Sequence, residues 1–208
     1  MWEEGRPRRG IRSWVRQGAS FSGHERNRLF VQNRENERIE FEDRSLVSGA
    51  DAKADGRAFG HLDVDRDGDL DLFLVNANAP RVQFFENQLS TETHSLWVDL
   101  VGGAEEASPQ NNHSNRDAVG ARAVATLKGR VLHREKRAGE GFASQNTGWL
   151  HFGVGDQESI ESVVVNWPSG QITEIPGPIG SGQRIRIYES SSDAPTRSNW
   201  EVVSPLLR

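Results

Sequence analysis

An all-β fold is predicted by three features of this sequence: short apolar runs with period-two alternation, Gly, Asn, Asp and Pro punctuation between them, and no convincing amphipathic helical period. The 208 residues suffice for one large domain or two small ones, and two compact units is the expectation. Hydrophobic residues at 35% and charged residues at 26% suit a loop-rich globular protein.

The first strand-like runs are residues 28–31, 38–41, 58–62, 70–75 and 81–85, separated by turn residues. Thr91-Glu92-Thr93 marks a boundary, because a new series starts just after it. There Leu96, Val98 and Leu100 alternate with Trp97, Asp99 and Val101, the signature of a half-buried strand. Residues 121–127 and 130–137 flank Lys128-Gly129, a two-residue hairpin signal. Val163, Val165 and Trp167 alternate with Ser162, Val164 and Asn166, and Pro168-Ser169-Gly170 supplies a turn with Pro at its first central position. Residues 172–175 return from that turn, and Ile185 and Ile187 make a last strand. Residues 190–208 read as a polar tail. At the other end, residues 1–21 read as a flexible basic arm with Arg6, Arg8, Arg9, Arg12 and Arg16; it serves either as a docking arm anchored by Trp2 and Trp14 or as an unstructured leader.

A net charge of -5 argues against nucleic-acid binding, which needs clustered Lys and Arg. With no cysteine, disulfides, zinc thiolate sites and cysteine nucleophiles are excluded. No apolar run approaches the roughly 20 residues of a membrane helix, so no membrane insertion is expected. The charged N-terminus is followed by no apolar stretch readable as a signal peptide.

Asp63, Asp65, Asp67, Asp69 and Asp71 recur at every second position, with Gly68 after the third. In a plain strand all five would share one face, and two such charges about 5 Å apart repel by roughly 3 kcal/mol at an effective dielectric near 20. A tight loop around a hard cation resolves the conflict, since calcium takes six to eight oxygens in irregular geometry. Asp63, Asp65 and Asp67 are expected to give side-chain oxygens, Asp69 its carbonyl, and Asp71 to close the site. The twelfth position is Leu74 rather than the Glu of an EF-hand, so a nine-residue hairpin-type calcium loop is expected, with Ca2+ favoured over magnesium. A solvated acidic turn is the plain alternative.

Asn27-Arg28-Leu29-Phe30, Phe41-Glu42-Asp43, Asp55-Gly56-Arg57-Ala58-Phe59 and the acidic loop, ending in Asn76 and Asn87, resemble one FG-GAP or VCBS repeat, the blade of integrin-like β-propellers. Further on, Ser114-Asn115-Arg116-Asp117-Ala118-Val119-Gly120-Ala121-Arg122, Gly139-Glu140-Gly141-Phe142-Ala143-Ser144-Gln145, Leu150-His151-Phe152-Gly153-Val154-Gly155 and Val165-Asn166-Trp167-Pro168-Ser169-Gly170 resemble, in order, the ASPIC/UnbV domain of the cartilage acidic protein-like family. The resemblance implies a propeller-blade-like antiparallel repeat over residues 22–92, followed by a β-sandwich-like domain over residues 93–189. It also implies a secreted or periplasmic, calcium-binding, adhesion-like protein. A lone blade cannot cover its own apolar faces, so partial docking on the following domain is expected, leaving a face that drives self-association, requires a partner or belongs to a larger propeller parent.

Histidines 24, 61, 94, 113, 133 and 151 are scattered, with no metal-ligand spacing, and read as surface or packing residues; His61 stands two residues before the acidic loop. No Walker loop, dinucleotide fingerprint or Gly-x-Ser-x-Gly elbow occurs. Trp97, Trp149 and Trp167 are expected in the core, with an aromatic ligand face as the alternative. Asn115, Arg116 and Asp117 are a candidate ligand site, against a turn fixed by Asp117. The expected function is a calcium-binding recognition or adhesion module for a protein or glycan partner, without catalysis of its own. The alternative is an accessory protein or enzyme of a biosynthetic pathway, using residues 115–117.

Overall fold

The computed structural model describes residues 13, 17, 19–20, 23–35, 38–88, 94–110 and 112–205. Most of the basic arm, with Trp2 and Trp14, lies outside the described residues, as does the boundary at 91–93. The chain is all-β apart from short turns of helix, and it divides into two compact units. One holds residues up to 60, 72–86 and 141–144; the other holds residues 61–71, 87–140 and 145–208. The acidic loop therefore counts with the second unit.

In the first unit β1 (Phe30–Glu35) pairs antiparallel with β2 (Arg38–Asp43), Phe30 opposite Asp43. A single helical turn, α1 (Ser45–Ser48), ends at Gly49, whose φ of 73° is a left-handed cap that favours glycine. The strands β3 (Gly56–Leu62), β4 (Asp71–Asn76) and β5 (Val82–Phe85) form a sheet in that order. β4 and β5 are antiparallel, and the Phe73 and Phe84 rings sit 4.8 Å apart. Asp55 is fully buried where its N–H donates to Asn78 Oδ1 at 2.9 Å and its carbonyl accepts from Ala77. Apolar cover is thin elsewhere: Ile39, Phe41 and Leu46 are 63%, 65% and 81% exposed.

Eight strands build the second unit. One sheet runs β11 (Ile172–Gly180), β10 (Ser159–Asn166), β7 (Arg122–Leu127), β8 (Arg130–Glu135). The other runs β13 (Trp200–Pro205), β12 (Gln183–Tyr188), β6 (His94–Val101), β9 (Leu150–Gly155). All neighbours in both sheets are antiparallel except β12 and β6. The inner faces share one core of Leu96, Val98, Leu100, Phe152, Ile160, Val163, Val165, Ile175, Ile185 and Ile187, a two-layer arrangement. Period-two alternation supplies it directly, because alternate side chains of each strand face the same way. The turn at Trp167 is closed by Gly170 N–H to Trp167 O at 2.9 Å, with Pro168 at its first central position.

Two elements differ from the sequence expectation. The tail after Ser190 is polar only at its start, since β13 pairs with β12 from Ile187↔Trp200 to Gln183↔Pro205. Trp200, Val202 and Val203 carry strand character that the preceding Ser-rich stretch masks. β9 also goes unread in the sequence, because His151, Gly153 and Gly155 interrupt its apolar residues.

Candidate metal centre

Backbone capture folds the acidic loop, which joins β3 to β4. Asp71 is buried, and its two oxygens accept the N–H groups of Val64 and Asn87, each at 2.9 Å. Asp65 Oδ1 accepts Asp67 N–H at 3.3 Å, and Asp67 Oδ1 accepts Asp69 N–H at 2.9 Å, consecutive side-chain turns that keep the chain from extending. Arg66 and Gly68 take φ of 67° and 104°, the second reserved for glycine. Gly68 O then accepts from Ser95 Oγ at 2.9 Å, His151 Nε2 at 3.0 Å and Trp97 Nε1 at 3.4 Å. Those three donors come from β6 and β9, so the loop tip is fixed to the sheet on the face opposite the core. Trp97 is accordingly buried although it alternates with the core residues of β6.

Three of the five carboxylates converge. One oxygen each from Asp63, Asp65 and Asp71 lies within 4.8 Å of the others. The Asp63 side chain is 1% exposed; its Oδ2 accepts from Arg184 Nη2 at 2.8 Å, while its Oδ1 is buried without a hydrogen-bond partner. The Asp67 carboxylate instead serves the Asp69 amide, and Asp69 lies outside the converging trio. Burial first, then the charges of Asp67 and Asp71, push the Asp69 carboxyl up to about 6. Burial also raises Asp67, helped by Asp65, Asp63 and Asp71. Crowded like charges, a buried orphan oxygen and an all-oxygen donor set fit a hard divalent cation.

His151 packs against Trp97 in a tilted arrangement, ring centroids 4.8 Å apart and planes at 57°. Burial pushes the imidazole down to about 4, so the ring is neutral and carries its proton on Nε2, facing the Gly68 carbonyl. Arg184 lies 5.4 Å from the Trp97 ring centroid and 5.7 Å from that of Trp149.

At the second sequence-marked segment, the turn is fixed by Asn115 and not by Asp117. Asn115 Oδ1 accepts Val119 N–H at 2.9 Å and its Nδ2 donates to Val119 O at 3.0 Å, with Ala118 at φ 55° between them. Arg116 and Asp117 pair bidentately with each other at 3.1 and 3.2 Å, both side chains more than half exposed. The residue that organises this region, Glu189, carries no sequence motif. It is 4% exposed and accepts from Gly103 N at 2.7 Å, Ser114 N at 2.8 Å, Ser114 Oγ at 2.9 Å and Ser169 Oγ. Burial alone would raise its carboxyl, but these hydrogen bonds together hold it below the usual glutamate value.

Residues 111–194 match the family model described as ASPIC and UnbV. The matched stretch contains all four motifs noted between Ser114 and Gly170, together with Glu189. β6 and β13 lie outside it, although both belong to the sheet that β9 and β12 complete. No curated protein matches the chain.

Proposed function

We propose that this chain is a calcium-binding recognition module of extracellular type, with no catalytic activity of its own, in which a propeller-blade-like FG-GAP repeat precedes the ASPIC/UnbV segment. The observation that carries the reading is the convergence of Asp63, Asp65 and Asp71 around the buried, unpartnered Asp63 Oδ1. These three carboxylates hold the ion, and Asp67 and the Asp69 carbonyl complete its oxygen shell. Bound calcium cancels the mutual repulsion that burial imposes on the loop and so fixes the β3–β4 connection against Ser95, Trp97 and His151. The chemistry is structural: a rigid loop presents a surface. A secreted or periplasmic setting, where calcium is millimolar, matches such a site. The partner is a protein or a glycan. A biosynthetic accessory role would draw on residues 115–117, where Asn115 serves a turn and Arg116 and Asp117 pair with each other.

Thermal melting in calcium, magnesium and chelator tests the metal. With a dissociation constant near 0.1–1 mM, 10 mM calcium adds about 1.5–3 kcal/mol of stability. Replacing Asp65 and Asp71 together by Asn removes that increment. Identical melting in all three conditions overturns the assignment.

A further inference from the structure

Beside the acidic loop, with Leu70 in its wall, the second unit contains a cavity of about 400 Å³, within the range of small-molecule sites. Its wall is made by the end of β8, Glu140, residues 145–149, His61 and the start of β9. Histidines distant in sequence meet here, since His61, His133 and His151 all line it.

Most of the wall is already hydrogen-bonded to itself. Asn146 Oδ1 accepts His61 N–H at 3.1 Å, Asn146 Nδ2 donates to Glu140 Oε2 at 2.9 Å, and Gln145 Oε1 accepts Gly139 N–H at 2.9 Å. Lys136 donates to Gly148 O. A wall fixed in this way loses little side-chain entropy when a ligand arrives.

The charges around the cavity do not cancel. Arg137 pairs with Glu140 at 3.2 Å and with Glu135 at 3.7 Å, and Lys136 pairs with Asp99 at 3.3 Å. Arg134 has no carboxylate partner among the described residues. Its Nε donates to His151 O at 2.8 Å and its Nη1 to His133 O at 2.9 Å, which leaves Nη2 for a ligand. His61 Nδ1 is buried and without a hydrogen-bond partner, a state that costs free energy. Trp149 adds an aromatic surface, half-buried, with the Arg184 and Arg186 guanidinium groups at 5.7 and 6.0 Å from its ring centroid.

We infer that this cavity binds an acidic saccharide, with Arg134 receiving the carboxylate, Trp149 lying against the apolar face of the ring, and His61 with the loop amides meeting hydroxyls. One guanidinium, one aromatic face and several planar polar groups match a carboxylated pyranose better than they match a peptide. A peptide would need either apolar side-chain pockets or a free strand edge. The neighbouring edge of β9 is closed to strand addition, because its carbonyls at His151 and Gly153 accept from Arg134 and Arg130. The inference stands on the cavity and not on the metal, so the two readings fail separately.

Calorimetric titration with digalacturonate in chelator tests it, beside digalacturonate methyl ester and inorganic phosphate. The acid is expected to bind, and the ester about tenfold more weakly, since a charge-assisted hydrogen bond is lost. Arg134→Gln is expected to weaken the acid to the level of the ester, and His61→Ala to weaken both sugars severalfold. The ester comparison uses the unaltered protein and so holds even where a variant fails to fold. Absence of binding, equal binding of acid and ester, or phosphate displacing the sugar at equal concentration overturns the assignment. Binding seen with calcium and lost in chelator would mean bridging through a metal ion and overturns it as well.

Discussion

Asp63 and Arg184 form a part-buried ion pair at 2.8 Å in which the aspartate keeps one oxygen buried and unpartnered and the arginine keeps its Nε unpartnered. Each partner is thus only half satisfied. In a site for a divalent cation, Arg184 is a competing positive charge that neutralises Asp63 when the metal is away. Arg184→Met retains an unbranched chain beside the tryptophans and removes the charge. In chelator the variant is expected to lose about 3 kcal/mol, because an uncompensated carboxylate stays buried. Its calcium affinity is expected to rise about tenfold, since a like charge near the ion is gone. Urea unfolding and calcium titration, run on the same preparations, measure the two opposite signs.

The neutral state of His151 makes the unit that holds the loop sensitive to acid. Its pKa falls from 6.5 in the unfolded chain to about 4 in the fold, so the unfolded chain binds more protons between these values. Its contribution is fully present above pH 6.5 and is lost as pH falls toward 4. Asp69 acts in the opposite direction, its raised pKa removing stability as pH rises through about 6. The difference between the wild-type protein and His151→Gln cancels the Asp69 effect. Relative to the variant, the wild type is expected to lose about 2–3 kcal/mol between pH 6.5 and 4. Parallel stability curves for the two proteins in chelator would show that burial does not hold this imidazole neutral.

Strand alternation and turn chemistry were legible in the sequence where they were local. The β7–β8 hairpin turns at Lys128-Gly129, with Gly129 at φ 82°, and the Pro168 turn closes as its composition requires. The clustering of aspartates was equally visible, because repulsion along one chain can be worked out from spacing alone. What spacing does not reveal is which carboxylates converge. That depends on Gly68 O meeting Ser95, Trp97 and His151, residues 27 to 83 positions away. The same limit hid Glu189, whose partners at Gly103, Ser114 and Ser169 are brought together only by the closed sandwich. Asn115 took the turn role expected of Asp117 because it stands at the first position of the turn, its carbonyl accepting Ala118 N–H while its side chain reaches Val119.

Glu189 is expected to matter more to the ASPIC/UnbV segment than any residue of the 115–117 stretch. Glu189→Gln keeps one acceptor oxygen but turns an N–H group toward donors that have no other acceptor, at a cost of about 2–4 kcal/mol. Asn115→Ala leaves one turn without its side-chain partner, at a cost of about 1 kcal/mol. Arg116→Ala and Asp117→Ala are expected to leave stability unchanged, since an exposed pair is screened by solvent. Denaturant unfolding of the four variants ranks them. An Arg116 or Asp117 variant as damaging as Glu189→Gln would show that this surface pair has a role that its exposure conceals.

The first unit presents its own difficulty. β2 alternates Ile39 and Phe41 with charged residues, yet both sets are exposed, and Leu46 and Val47 of α1 are 81% and 77% exposed. Alternation normally assigns one face to a core, so an exposed apolar stripe marks a surface that is covered in some other assembly or remains adhesive. The protein is expected to bind a hydrophobic dye in its native state and to self-associate as its concentration rises. Replacing Ile39 and Phe41 by Thr keeps the strand character of β2, and because neither side chain is packed, the stability cost is expected to stay below about 1 kcal/mol. The same change is expected to lower dye fluorescence and shift sedimentation toward monomer. A monodisperse protein that binds no dye before the substitutions would show that the β1–β2 sheet can remain solitary despite this stripe.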